Sequence, residues 1–143
     1  MTIEQLSVFV ENKHGKLVEA DETIAQAGVD LRALSLADTT DFGILRIIVD
    51  KPVKAINALQ EAGFLVKTSE VLPISVSDKP GALAKALRVL ADAGINVEYT
   101  YAFVAHSDDG AYVILRVEDN DAAAKALTDS GITLLTSDDM QKM

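Results

Sequence analysis

The chain has 143 residues, an apolar share of 49% that is ordinary for a globular protein, and 22 acidic against 13 basic side chains, a formal charge of −9. Its length suits one ordinary domain or two very small ones, and its acidity excludes a nucleic-acid backbone or an anionic membrane surface as partner, since both need clustered Lys and Arg. With 0 cysteines, disulfides and thiolate metal sites are excluded too.

Taken in chain order, Gln5–Val10 alternates as a strand does, and Asn12–Gly15 is a turn. Leu17, Ala20, Ile24 and Ala27 stand at helical spacing over Lys16–Ala27, with Gly28 as the stop. Leu31–Ala37 and Ile44–Val49 follow as strands joined by a hairpin turn at Asp38–Gly43. Pro52 opens a second helix whose apolar stripe is Val53, Ile56 and Leu59; Gly63 stops it, and Leu65–Val71 is a fourth strand. The same order then recurs as strand Leu72–Ser77, helix Ala82–Ala93, strands Val97–Ala105 and Ala111–Val117, helix Ala122–Asp129 and strand Ile132–Thr136.

The recurrence is a true internal repeat. A shift of 66 pairs Leu6 with Leu72, Lys13 with Lys79, Gly15 with Gly81 and Gly28 with Gly94; later a shift of 68 pairs Val49 with Val117 and Gly63 with Gly131. The two extra residues fall between Tyr101 and Gly110, where they lengthen a loop. The expected fold is therefore α+β: two βαββαβ ferredoxin-like modules, 1–70 and 71–143, packed side by side, each an antiparallel sheet with both helices on one face. Leu45, Ile47 and Val49, with Val113, Leu115 and Val117, suit the helix-covered face. The opposite face then holds Phe9, Ile44, Arg46 and Ile48, and Tyr112, Ile114 and Arg116. That is apolar for a solvated surface and points to a homodimer contact. Tyr99, Tyr101 and Phe103 read as a core stripe.

Chemistry concentrates in the strand-to-helix loops Asn12-Lys13-His14-Gly15-Lys16-Leu17 and Asp78-Lys79-Pro80-Gly81-Ala82-Leu83. A glycine at a helix start lets unpaired N–H groups approach an anion at the positive end of the helix dipole. Asn12 or Asp78 just ahead would receive an ammonium, so an α-amino acid would use both halves of the site. Helix capping is the competing role for those two side chains. Polarity is exchanged two residues past each helix-ending glycine: Asp30 accompanies Asn12, and Asn96 accompanies Asp78. No nucleophile–base pair or nucleotide-binding glycine pattern appears, which argues against an enzyme. His14 and His106 are too isolated for a metal site.

Two such units, with D-K-P-G-A-L before the helix and A-G-I-N-V after it, resemble ACT domains over Gln5–Ser137. The resemblance implies an amino-acid-binding regulatory module with no cofactor, its effector held in a seam between a glycine loop and the second-strand region of a neighbouring unit. It implies that Leu31 and Val97 line that seam beside Asp30 and Asn96, and that the partner is an enzyme of amino-acid metabolism. The second copy fits best through Asp78, Pro80, Gly81 and Asn96, whereas the first carries His14 where proline is usual. If one loop alone functions, Asp78–Gly81 is the expected one. The competing function is an interaction module that keeps the fold and binds no ligand. The absence of an apolar membrane span or signal-peptide pattern makes the cytoplasm the expected location.

Overall fold

The computed structural model describes residues 2–38, 41–104 and 110–142. The chain separates into two compact units: Glu4–Ser69, and the residues from Glu70 onward together with Thr2 and Ile3.

The first unit is built from β1 (Ile3–Glu11), α1 (Lys16–Gln26), β2 (Leu31–Asp38), β3 (Phe42–Val49), α2 (Pro52–Glu61) and the start of β4 (Leu65–Val76). Its strand order is β2-β3-β1-β4, with Lys67 of β4 lying over the Phe9 ring of β1. The second unit takes the rest of β4, then α3 (Ala82–Asp92), β5 (Val97–Ala102), β6 (Ala111–Val117), α4 (Asn120–Asp129), β7 (Thr133–Leu134) and α5 (Ser137–Gln141). Its order is β7-β4-β6-β5. The ladders β1/β3, β2/β3, β4/β6, β4/β7 and β5/β6 are antiparallel, as the ferredoxin-like unit requires. The α+β reading and the repeated βαββαβ order are thus borne out.

The packing rule is the same in all four long helices. Each buries an alanine and, four residues on, a large aliphatic: Ala20/Ile24, Ala55/Leu59, Ala86/Leu90 and Ala123/Leu127. Positions i and i+4 share one helix face. The small residue lets the helix approach the sheet, and the large one fills the space beside it. In the first unit these side chains meet Leu6, Val8 and Val10 of β1 and Leu45, Ile47 and Val49 of β3. In the second they meet Leu72, Ile74, Val113, Leu115 and Val117.

Several expectations change. Val53 is not part of the α2 stripe: it is 70% exposed, because it lies two residues from Ala55 and so about 200° round the helix. Leu65–Val71 and Leu72–Ser77 are one strand, β4. The last strand shrinks to Thr133–Leu134, because Thr136 and Asp139 form a capping box that starts α5, an element the sequence reading missed. Helix α4 begins at Asn120 because Asp119 caps it, its carboxylate accepting from the Ala122 N–H at 3.0 Å. Ala105, His106, the inserted loop and the centre of the Asp38–Gly43 turn lie outside the described residues.

The face opposite the helices is less open than expected. Ile48 and Ile114 are 2% and 0% exposed. Ile114 is flanked across its two ladders by Pro73 and Tyr101. Tyr99 and Tyr101 are half-buried on this same face, stacked at 6.4 Å, and are not members of the helix-side core. A break in register between Val97 and Tyr99 is the cause: beyond it Thr100, not a tyrosine, pairs with Leu115 of the helix-covered face.

Candidate functional site: the glycine loops and the groove beside them

Both strand-to-helix loops turn on a glycine in the left-handed region, Gly15 at φ 83° and Gly81 at φ 87°. These glycines occupy the cap positions of α1 and α3, and neither helix has a side-chain cap. Asn12 and Asp78 stand three residues earlier, so the capping role weighed for them is not what the structure shows. The backbone closes the turn instead: Lys16 N–H donates to the Lys13 carbonyl, and Ala82 N–H to the Lys79 carbonyl, each at 3.2 Å. The cap positions of both helices therefore carry no side-chain acceptor, and the first turn of α3 holds no acidic residue, whereas that of α1 holds Glu19.

The two loops differ in charge. In the first, Lys13 Nζ pairs with Glu11 at 3.0 Å and Lys16 with Glu19 at 3.3 Å. The Lys13 ammonium, by hydrogen bond and charge, holds the Glu11 carboxyl below its ordinary range. In the second, the repeat places Ser77, Ala82 and Lys85 at the positions of Glu11, Lys16 and Glu19, so those pairs have no counterpart. Asn12, Lys13 and His14 are exposed, as are Asp78, Lys79 and Pro80.

An apolar groove of about 550 Å³ opens beside the first loop. Its walls are Lys13, Gly15, Leu17, Val18 and Asp21 on the α1 side, with Leu31 and Leu34 of β2 opposite and Leu45 of β3 at the floor. Leu31 and Leu34 are three apart, which plain strand alternation would send to opposite faces. A bulge between Leu31 and Ala33 brings both to the helix side, with Leu34 paired to Ile47. Because β2 is the edge strand, the helices do not cover it. Leu34 is 44% exposed and Leu17 43%.

Thus Lys13, Gly15, Leu17 and Leu31 of the expected site come together. Asp30 does not join them: its carboxylate pairs with Arg32, and its N–H donates to Asp50 at 2.9 Å. Asn12 and Asp30 lie at opposite ends of the 11-residue α1, about 16 Å apart, so one small ligand cannot touch both within a unit. In the second unit, Ala82 lines a depression of about 300 Å³ with Lys85 and Ser130–Thr133. Asn96 lines another, of about 390 Å³, with Glu98, Glu118 and Asp119. Gly81 and Leu83 line neither, while Leu83 and Val97 pack on the core. Val18, Asp21, Leu34 and Leu45 were not foreseen as wall residues. The helical spacing from Leu17 to Val18 and Asp21, and the alternation of Leu34 with Leu36, were the available signals.

Residues 1–143 match the family described as the ACT domain pair. Protein BT0572 from Bacteroides thetaiotaomicron is similar over 100% of this chain and 98% of its own, at 39% identity and a TM-score of 0.92. The regulatory subunits of aspartate kinase from Thermus thermophilus and Thermus flavus share the fold. The first is 18% identical over 88% of this chain and 90% of its own, with a TM-score of 0.63. The second is 16% identical over 92% and 94%, with a TM-score of 0.61. No curated protein sequence matches this one. With both units built as βαββαβ modules, each carrying its glycine loop, and the match running the whole length, the chain belongs to the ACT domain pair family, which is typical of amino-acid-binding regulatory proteins.

Proposed function

We propose that this protein is a regulatory sensor that binds a free amino acid at its glycine loops and has no catalytic activity of its own. The observation that carries the proposal is the pair of uncapped helix N-termini behind left-handed glycines, one of them opening onto an apolar groove. A carboxylate is stabilised by the outward N–H groups, and the hydrophobic part of the ligand lies on the groove. The second-strand region of a neighbouring ACT unit would close the site, with Asp30 or Asn96 supplied from there. Binding would favour the arrangement of units that holds the ligand better, and so alter contact with a partner, which we take to be an enzyme of amino-acid metabolism. Self-association through the sheet face opposite the helices belongs to the same proposal. It would rest on the half-buried Phe9, Ile44 and Tyr112, since Ile48 and Ile114 are already covered. We place the protein in the cytoplasm; among the described residues no helix is long and apolar enough to cross a membrane.

The test is a thermal-shift screen against the twenty amino acids. A ligand at about 100 times its Kd stabilises the folded state by about 2.7 kcal/mol, which is roughly 5–10 °C in melting temperature. If no amino acid moves the midpoint at millimolar concentration, the sensor reading fails and the interaction module without a ligand takes its place.

A further inference from the structure

The depression of about 300 Å³ in the second unit opens where β4 outruns its neighbour β7, at the end of the strand order opposite the edge strand β5. The β4/β7 ladder stops at the pair Ser75–Thr133, while β4 runs on to Val76 and the chain leaving α4 turns through Ser130 and Gly131. The wall of this gap is polar. Ser75 and Ser77 stand on the β4 side, Ser130 and Thr133 on the α4–β7 side, and Lys85 of α3 is its one charged residue. None of these five side chains has a hydrogen-bond or ion-pair partner among the described residues. The nearest acid in sequence to Ser130, Asp129, is held by Lys125 at 2.6 Å, and Asp78 does not line the gap. Five unspent donors thus surround one small cavity, and no carboxylate answers them.

The fold itself does not demand this wall, because the first unit is built without it. By the repeat register, Ser75 corresponds to Phe9, Ser77 to Glu11, Lys85 to Glu19, Ser130 to Ala62 and Thr133 to Leu65. Phe9 and Leu65 give way to smaller residues, which leaves room beside β4. Glu11 and Glu19 give way to a hydroxyl and an ammonium, which removes two carboxylates and adds a cation. Lys16, the partner of Glu19 in the first unit, is Ala82 in the second, so Lys85 has no inherited ion pair to rebuild. Each of the five exchanges adds a donor and none adds an acid. In a chain whose formal charge is −9, a place where every change runs toward donors and positive charge points to an anion.

We infer that this depression binds a phosphate group, either the free ion or the terminal group of a small phosphorylated metabolite. A carboxylate has its two oxygens in one plane. A phosphate group offers three strong acceptor oxygens in different directions, which suits donors arriving from β4, from α3 and from the α4–β7 turn. Lys85 supplies the charge through a charge-assisted hydrogen bond, and the hydroxyls fix the orientation. The volume is at the lower end of the roughly 300–1,000 Å³ typical of small-molecule pockets, enough for the anion and a short carbon body. The site is separate from the proposed amino-acid site: Gly81, Leu83, Asn96 and Val97 do not line it, and it stands or falls whether or not an amino acid binds.

Amide chemical shifts of the isotope-labelled full chain, followed as inorganic phosphate, glycerol 3-phosphate or acetate is added at constant ionic strength, test it. Phosphate should give saturable shifts at Ser77, Gly131 and Thr133 with a Kd of about 1 mM or tighter, and acetate should not. Lys85→Glu installs the residue that the first unit carries at the same place, on an exposed helix position where folding tolerates it. It should weaken phosphate at least about 10-fold, the scale of one hydrogen bond to a charged group. Lys54→Glu makes the same charge change on the exposed side of α2 and should leave the Kd within about 2-fold, since a distant surface charge is screened. Circular dichroism confirms that both variants are folded. A tighter Kd for glycerol 3-phosphate than for phosphate identifies a phosphorylated metabolite as the ligand, and the reverse identifies the free ion; either supports the site. Equal shifts with acetate, no saturation by about 10 mM phosphate, or an unchanged Kd in folded Lys85→Glu overturns it.

Discussion

Replacing Gly81 by alanine isolates the cost of the loop's backbone conformation. At φ 87° an L-residue brings its Cβ against its own carbonyl oxygen, at a cost of about 1–2 kcal/mol. A Cβ built on Gly81 meets nothing within 4 Å, so no packing clash adds to that figure. Gly15 is equivalent, with φ 83° and open space around it. Each single variant should therefore lose up to about 1–2 kcal/mol, seen as a fall of up to roughly 3–8 °C in melting temperature by calorimetry, with m-values in urea unchanged. The contrast is Gly110, whose added Cβ would stand 2.7 Å from the Val76 backbone oxygen. Backbone cannot yield as a flexible side chain does, so Gly110→Ala should cost as much or more without any left-handed strain. A raised melting temperature in Gly15→Ala or Gly81→Ala would refute the reasoning, because the unfolded-chain entropy that alanine removes, about 0.4–1 kcal/mol, offsets only part of the strain. A loss above about 4 kcal/mol would refute it too, by revealing packing that the open space around these glycines denies.

Ile24→Ala and Leu90→Ala each empty the large half of a helix's Ala/aliphatic pair, both sites being at most 1% exposed; each should cost about 2–5 kcal/mol in chemical denaturation, whereas Val53→Ala, on the exposed side of α2, should stay within about 0.5 kcal/mol. Asp119→Ala removes the carboxylate that accepts from the Ala122 N–H and should cost about 1 kcal/mol, with Asp119→Asn largely restoring it. The Asp139 carboxyl is held below its ordinary range by the Thr136 backbone N–H and hydroxyl. Its folded pKa is depressed, so its contribution is complete above the unfolded value and is lost as pH falls through the folded one. Amide exchange in α5 should therefore accelerate selectively as the solution is acidified below the usual aspartate range, and a pH-independent rate ratio between α5 and α3 would contradict the capping box.

Helix α5, the exposed Val53 and the facing of the β5 tyrosines were not legible in the chain, whereas the repeat, the order of the strands and the four long helices, and the helix-facing residues of β3 and β6 were. They depend on periodicity, which is a local property: alternation in Leu45–Val49, four-residue spacing in Ala20/Ile24 and its three counterparts, and glycine where a turn needs it. The glycine loops were legible for the same reason. The walls of the groove were not. Which strand would be an edge depends on pairing between segments far apart in sequence, and only that order leaves Leu34 uncovered. The bulges at Leu31/Ala33 and Val97/Tyr99 reverse the alternation partway along a strand, moving Leu34 onto the helix side and the tyrosines off it. A one-residue change of register sends every later side chain to the opposite face, and nothing in the local pattern of β2 or β5 announces it. The sequence by itself determined that there are two ACT units and where each turns; the tertiary structure decided which side chains stand around those turns, because facing is settled by ladder register and edge position.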